Sequence, residues 1–248
     1  MIPALRWLLG LTLLLTVLDA GRVPLFEPDE GRYGEIPREM LASGDFVTPR
    51  LNGVLYFEKP ALHYWTVAGS LAAFGHNEWA SRLPTKLATV GMSLLVLLYA
   101  RKRYGERVAL LGALLTGTSA LVFCLGRMNL IDPSLSLAMA AAAFAFAAFQ
   151  EHEANGDRPR AQRALYGLHA ACAAAVMLKG LIGIVLPGGA TVFWVLVTGR
   201  WNVVPRLFSP GPLSLFLALA VSTCFAEKRV QLTAYVQQVG QRVAAVSP

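Results

Sequence analysis

Apolar stretches of near-bilayer length recur along this chain, at about 5–24, 83–100, 108–126, 134–149, 164–178, 181–198 and 208–225, with almost no charge inside them. A helix needs about 20 residues to cross a hydrocarbon core, so several of these extend into their flanks. Hydrophobic residues make up 55% of the chain and charged residues 15%, against about 25% charged in soluble domains. One soluble core cannot bury so much apolar surface, so the solvent must be lipid. That excludes a secreted disulfide module, a disordered tail and an ordinary cytosolic enzyme. The net charge of +7 reads as basic loops beside membrane spans, and no nucleic-acid partner is expected. Cys124, Cys172 and Cys224 lie far apart in apolar runs and act as small hydrophobes.

Charge placement predicts the topology. Arg101, Lys102, Arg103 and Arg107 crowd one turn between two apolar runs, opposed only by Glu106. Such a cluster belongs in the cytoplasm. Arg6 precedes the first run, and no small-x-small cleavage site follows it, so this run reads as an uncleaved span leading outward. Residues 25–82 then form one large external loop. The shorter stretch 60–75, with His63, Tyr64 and Trp65, returns to the same face and is expected to lie along the membrane surface. The result is a seven-span chain. From Ala226 onward the composition turns polar and rich in Gln, which sets 226–248 apart as a tail behind a transmembrane domain at 1–225.

The external loop carries the chemistry. From Asp29 the pattern predicts an amphipathic helix with Asp29 and Glu30 in its first turn and Pro37 bending it or limiting its length. Either acid could simply cap that helix, but a cap needs one acid and two stand here. Farther on come Tyr56, Glu58 and Lys59, where the Lys59 ammonium would meet a lipid phosphate at headgroup level. Glu58 with His63 offers an oxygen and a nitrogen to a divalent ion, too few ligands for a closed site. Asp132 stands at a membrane edge, where a carboxylate is functional by default, although Asp132-Pro133 also suits a helix start. Lys179 falls on the same face. Acids beside lysines at the headgroup layer suit a substrate that carries both a phosphate and hydroxyl or amine groups, as in lipid-linked sugar transfer.

The stretch PDEGRYGEIPREMLASGDFVTPRLNGVLYFEKPALHYW, followed in order by NEWASRLPTKLA, LIDPSLS and LKGLIGIVLP, closely resembles the bacterial lipid A 4-amino-4-deoxy-L-arabinose transferases and their protein-mannosyltransferase-like relatives. These are polyprenyl-phosphate-dependent glycosyltransferases of the GT-C fold. The resemblance covers about residues 1–222 and implies an all-α integral membrane bundle with two interfacial juxtamembrane helices in its first periplasmic loop. It implies residence in the bacterial inner membrane, a polyprenyl-phosphate-linked sugar as donor, and lipid A or another periplasmic acceptor. Carried over residue by residue, Asp29 and Asp132 become catalytic. Glu30, Tyr56, Lys59 and Lys179 become substrate-binding, and Glu58 becomes a ligand for a divalent metal ion. Family members are longer, with further spans and a C-terminal periplasmic domain, so the chain reads as their N-terminal half. Two alternatives stand beside aminoarabinose transfer: a protein O-mannosyltransferase-like enzyme and an inactive lipid-phosphate-binding fragment.

Overall fold

Asn77 opens the longest helix, its side chain accepting a hydrogen bond from the Ala80 N–H at 2.8 Å. Glu78 then sits in the first turn and Arg101, Lys102 and Arg103 in the last, each complementing the helix dipole. The computed structural model describes residues 2–18, 21 and 23–221. The 226–248 tail, Cys224 and the end of the last apolar stretch lie outside the described residues. In chain order the elements are α1 (Ile2–Leu18), α2 (Asp29–Ser43), β1 (Arg50–Leu51), β2 (Val54–Leu55), α3 (Leu62–Phe74), α4 (Glu78–Tyr104), α5 (Glu106–Thr118) and α6 (Ala120–Leu125). There follow α7 (Ile131–Ala154), α8 (Arg158–Lys179), α9 (Ile182–Thr198), a 3-10 turn (Trp201–Val203) and α10 (Val204–Leu207). A last helix, α11, covers Pro210–Val221.

Two antiparallel hairpins, α4–α5 and α7–α8, form the body, joined where α4 packs on α7. Helix α1 lies on α5, and α9 lies on α8. The short helices α2 and α3 pack on each other, and α3 also reaches α4 and α8. The outward faces are apolar, with Leu98, Leu115 and Val197 about two-thirds exposed or more, the surface a lipid-facing bundle presents.

The charge-derived topology places Arg6, 101–107, 150–163 and Arg206 on one side, and the ion pairs join these segments. Arg6 Nε donates to Glu106 at 2.9 Å, Arg103 to Glu151 at 2.7 Å, and Arg206 pairs with Glu153 at 3.1 Å. By length and composition alone, fewer of the described helices qualify as spans than the seven expected. Among the described residues only α4 and α7 are by themselves long and apolar enough to cross, and the bent pair Trp201–Leu207 with Pro210–Val221 would make a third. The causes are local. Extended backbone at Ser119 (ψ 135°) splits the 108–126 stretch into α5 and α6. Helix α8 has the length but carries Arg158, Arg160, Arg163 and Lys179, and α1 and α9 are each 17 residues long. Pro37 lies inside α2, which runs on to Ser43.

The α8–α9 turn is tight. Gly180 takes φ +73°, and a Cβ on Gly183 would lie 2.4 Å from the Val176 nitrogen and 2.5 Å from the Ala175 carbonyl carbon. Backbone cannot yield as a side-chain tip can. Gly183→Ala is therefore expected to destabilise the chain by about 1–3 kcal/mol, read as a lower Tm by circular dichroism in detergent. Gly188→Ala, with open space around it, should hold or raise Tm. Equal effects at the two positions would refute the tight-turn account.

Candidate active site

The loop after α2 is pinned before it reaches the site. Gly44 closes α2 in the left-handed conformation, and Asp45 accepts from the Val47 and Thr48 amides, each at 3.0 Å. Asn52 and Gly53, at φ 53° and 77°, make the two-residue turn of the β1–β2 hairpin, with Arg50 opposite Leu55. Glu39 on α2 accepts the Gly53 N–H at 3.1 Å, and the Trp65 indole donates to the Phe46 carbonyl at 2.7 Å. Residues 56–59 are thereby presented beside the start of α2.

Arg32 is the hub of what they form. Its guanidinium donates to the Tyr56 hydroxyl at 3.0 Å, lies 3.6 Å from Glu58 and 4.0 Å from Asp29. The Tyr56 hydroxyl in turn donates to Glu58, and Lys59 pairs with Glu58 at 3.2 Å. Hydrogen bonds from Tyr56 and Lys59 hold the Glu58 carboxyl below the usual carboxylate range. Burial, reinforced by the negative charge of Asp29, pushes the Tyr33 phenol up to about 12.

The second cluster is the ion pair of Asp132, in the first turn of α7, with Lys179, in the last turn of α8. Both clusters rest on one apolar core, in which Tyr33 and Ile36 of α2, Tyr64 of α3, Ile131 of α7 and Leu178 of α8 meet. The rings of Tyr33, His63 and Tyr64 meet beside it, His63 edge to face with both tyrosines and the Tyr33 and His63 centroids 5.4 Å apart. Asp29, Tyr56, Glu58, Lys59, Asp132 and Lys179 thus gather at the end of the bundle away from the Arg103–Glu151 pair.

Glu30 behaves otherwise than expected. It is fully buried, and both of its oxygens are occupied. Arg82 Nε and the Asn129 N–H donate to one, at 2.8 and 2.6 Å. Arg82 Nη2 and the Phe26 N–H donate to the other, at 2.8 and 2.9 Å. A carboxylate so enclosed fixes the architecture and does not reach a substrate. Burial raises its pKa, but Arg82 and the two amides outweigh that and hold it below the ordinary value. Nor is a metal site assembled around Glu58. His63 is turned inward to Asn129 at 3.0 Å, and among the described residues no three His, Cys, Asp or Glu side chains stand together as ligands.

Sequence reasoning missed Arg32, Arg82 and Asn129, and read His63 as a possible metal ligand where it pairs with Asn129 instead. Arg32 carried a signal, being the first cation after Asp29 and three residues along the same helix face. So did the hairpin, through its Asn-Gly pair.

Apolar outward faces and a cluster of paired acids and cations at one end define an α-helical membrane protein with a charged site at one end of its bundle. The chain belongs to the dolichyl-phosphate-mannose-protein mannosyltransferase family, whose profile matches residues 23–235. It is 39% identical over 200 residues to the undecaprenyl phosphate-alpha-4-amino-4-deoxy-L-arabinose arabinosyl transferase of Edwardsiella ictaluri, covering 80% of this chain and 35% of that protein. With the Pseudomonas fluorescens transferase of that name, numbered 2, it shares 36% identity over 228 residues, 90% of this chain and 40% of the relative. The fold superposes on the apo crystal structure of ArnT from Cupriavidus metallidurans, a GT-C membrane protein, with a TM-score of 0.82 at 30% identity, covering 91% of this chain and 41% of that one. A second crystal structure of that protein, bound to undecaprenyl phosphate, gives 0.79 at the same identity, over 90% and 41%. This chain therefore spans about two-fifths of the length of the relatives it matches.

Proposed function

We propose that this chain carries the donor-side machinery of a glycosyltransferase that moves 4-amino-4-deoxy-L-arabinose from undecaprenyl phosphate to a lipid A phosphate at the periplasmic face of the bacterial inner membrane. The observation that carries the reading is the Arg32–Tyr56–Glu58–Lys59 cluster. It holds two cations, each about a quarter exposed, at one end of an apolar bundle. The match to a structure with undecaprenyl phosphate bound supports it. In this reading α2 and α3 lie at the membrane surface.

The chemistry asks little of a base. An acceptor phosphate oxygen, already anionic, forms the new bond to the anomeric carbon as the bond from that carbon to the carrier phosphate breaks. The bonding pair leaves on the carrier, where Lys59 and Arg32 balance the added charge. Asp29 and Asp132, both about half exposed, are placed to hold the sugar's amine and hydroxyls.

Lys59→Ala is expected to weaken undecaprenyl phosphate binding about tenfold or more, the worth of one charge-assisted hydrogen bond. Tryptophan fluorescence or calorimetry with the purified chain reads this, and unchanged affinity would remove Lys59 from the site. One observation favours a second reading. Asp29 is paired only loosely, at 4.0 Å from Arg32, so it is free to take a proton from a hydroxyl acceptor, as a protein O-mannosyltransferase-like enzyme requires. Asp29→Asn separates the two readings: transfer to a phosphate acceptor survives it in part, whereas transfer to a hydroxyl is abolished. Donor binding without turnover by the unmodified chain would identify a binding fragment.

A further inference from the structure

The end of the bundle opposite the candidate active site contains a cavity of about 640 Å³, lined among others by Lys102, Arg103, Gln150, Glu151, Trp194 and Arg200. Its position follows from the helices that frame it. Arg82, in the candidate site's supporting network, and Arg103 both lie on α4, and 21 residues of helix separate them by about 30 Å. That is about the thickness of a hydrocarbon core, so the cavity lies at the headgroup level of the other leaflet. Helix α7 supports the same placement, with Asp132 in its first turn and Gln150 and Glu151 toward its far end.

The lining carries three cations against one carboxylate. Glu151 is shared by Arg103, at 2.7 Å, and Lys102, at 3.9 Å. Arg200 has no carboxylate partner among the described residues and lies over the Trp194 ring, 5.9 Å from its centroid. The Gln150 side-chain nitrogen is buried without a hydrogen-bond partner, a donor left unused at the cavity wall. Phe146 and Trp194, edge to face at 5.4 Å, supply an apolar wall. Net positive charge, a spare amide donor and an aromatic wall at a membrane interface together fit one chemistry: a phosphate ester whose apolar part enters the bilayer.

We propose that this cavity binds the phosphate of an anionic phospholipid in the leaflet opposite the candidate active site, with Arg200 and Lys102 as its principal cations. The site is independent of the glycosyl-transfer reading and shares no residue with it. Lys102 and Arg200 are both exposed, so replacing either should leave the fold intact.

The test is native mass spectrometry of the purified chain in detergent, titrated with phosphatidylglycerol, phosphatidylcholine or inorganic phosphate. Phosphatidylglycerol should be retained in preference to phosphatidylcholine. R200A should weaken that retention about fivefold and K102A/R200A about thirtyfold, the scale of one and two interfacial cations. Saturable binding of inorganic phosphate alone, lost in the same variants, would support the phosphate site and make its source soluble. Equal retention of both lipids, or phosphatidylglycerol retention unchanged in both variants, would overturn the proposal. Unchanged helical circular dichroism in each variant keeps these outcomes interpretable.

Discussion

Arg82→Ala is expected to destabilise the chain by about 3–5 kcal/mol, because it leaves the Glu30 carboxylate buried without its counter-charge. Glu30 is fully buried, and the Arg82 side chain is only 3% exposed. The guanidinium also donates to the Val23 carbonyl at 2.8 Å and the Pro24 carbonyl at 3.0 Å. One side chain therefore ties together the loop before α2, the first turn of α2 and, through Glu30 and the Asn129 amide, the approach to α7. Lysine cannot supply this fork of donors, so Arg82→Lys should recover little. Glu30→Gln with Arg82→Met should be less destabilised than the sum of the two single changes, since no unpaired charge remains. Thermal unfolding in detergent measures all of these. A loss below about 1 kcal/mol for Arg82→Ala would place the pair among surface ion pairs. The pH dependence has a definite sign. The folded pKa of Glu30 is depressed, so its contribution is complete above the unfolded value of 4.5 and is lost as pH falls through the folded value.

Acidification should weaken the fold before Glu30 titrates, and His63 is the cause. Its ring is fully buried. Asn129 donates through its amide nitrogen to Ser81 at 2.9 Å, so its oxygen is the acceptor facing His63 Nε2 at 3.0 Å. Nε2 therefore carries the proton, and the bare Nδ1 is buried with no partner. Charging the ring would put a proton on Nδ1 with nothing to receive it. Burial accordingly pushes the pKa from 6.5 down to about 4, against the opposing pulls of Asn129 and the Asp132 charge. Below pH 6.5 the unfolded chain binds a proton that the folded chain refuses, so stability falls as pH drops from 6.5 toward about 4. The total loss is roughly 3 kcal/mol. His63→Gln, which keeps a donor toward Asn129 and cannot titrate, should flatten the slope of Tm between pH 4.5 and 6.5. An equal slope in both proteins would assign the acid sensitivity elsewhere.

Much of this was legible in one dimension, for identifiable reasons. Apolar runs and their flanking charges are local properties, so the helices and the end at which each begins follow from reading along the chain. The same reading brought Asp29, Lys59, Asp132 and Lys179 to one end, because alternation of direction is enough to count ends. It could not separate two adjacent acids. Asp29 is about half exposed beside Arg32, whereas Glu30, the next residue, is sealed against Arg82. Helical geometry turns neighbouring residues to different faces, and only the packing of α2 on its neighbours decides which face loses its water.

Composition and charge order by themselves determined that this chain is a helical membrane bundle with Asp29, Lys59, Asp132 and Lys179 gathered at one end. The tertiary structure alone decided which polar groups remain at the surface and which became internal struts. Glu30 finds its partners 52 and 99 positions away, at Arg82 and Asn129, and His63 finds Asn129 across 66. Contacts at such separations leave no periodic trace in the sequence. They exist because close packing removes water from a polar group, and a buried polar group must then be met by whichever donor or charge the fold brings beside it.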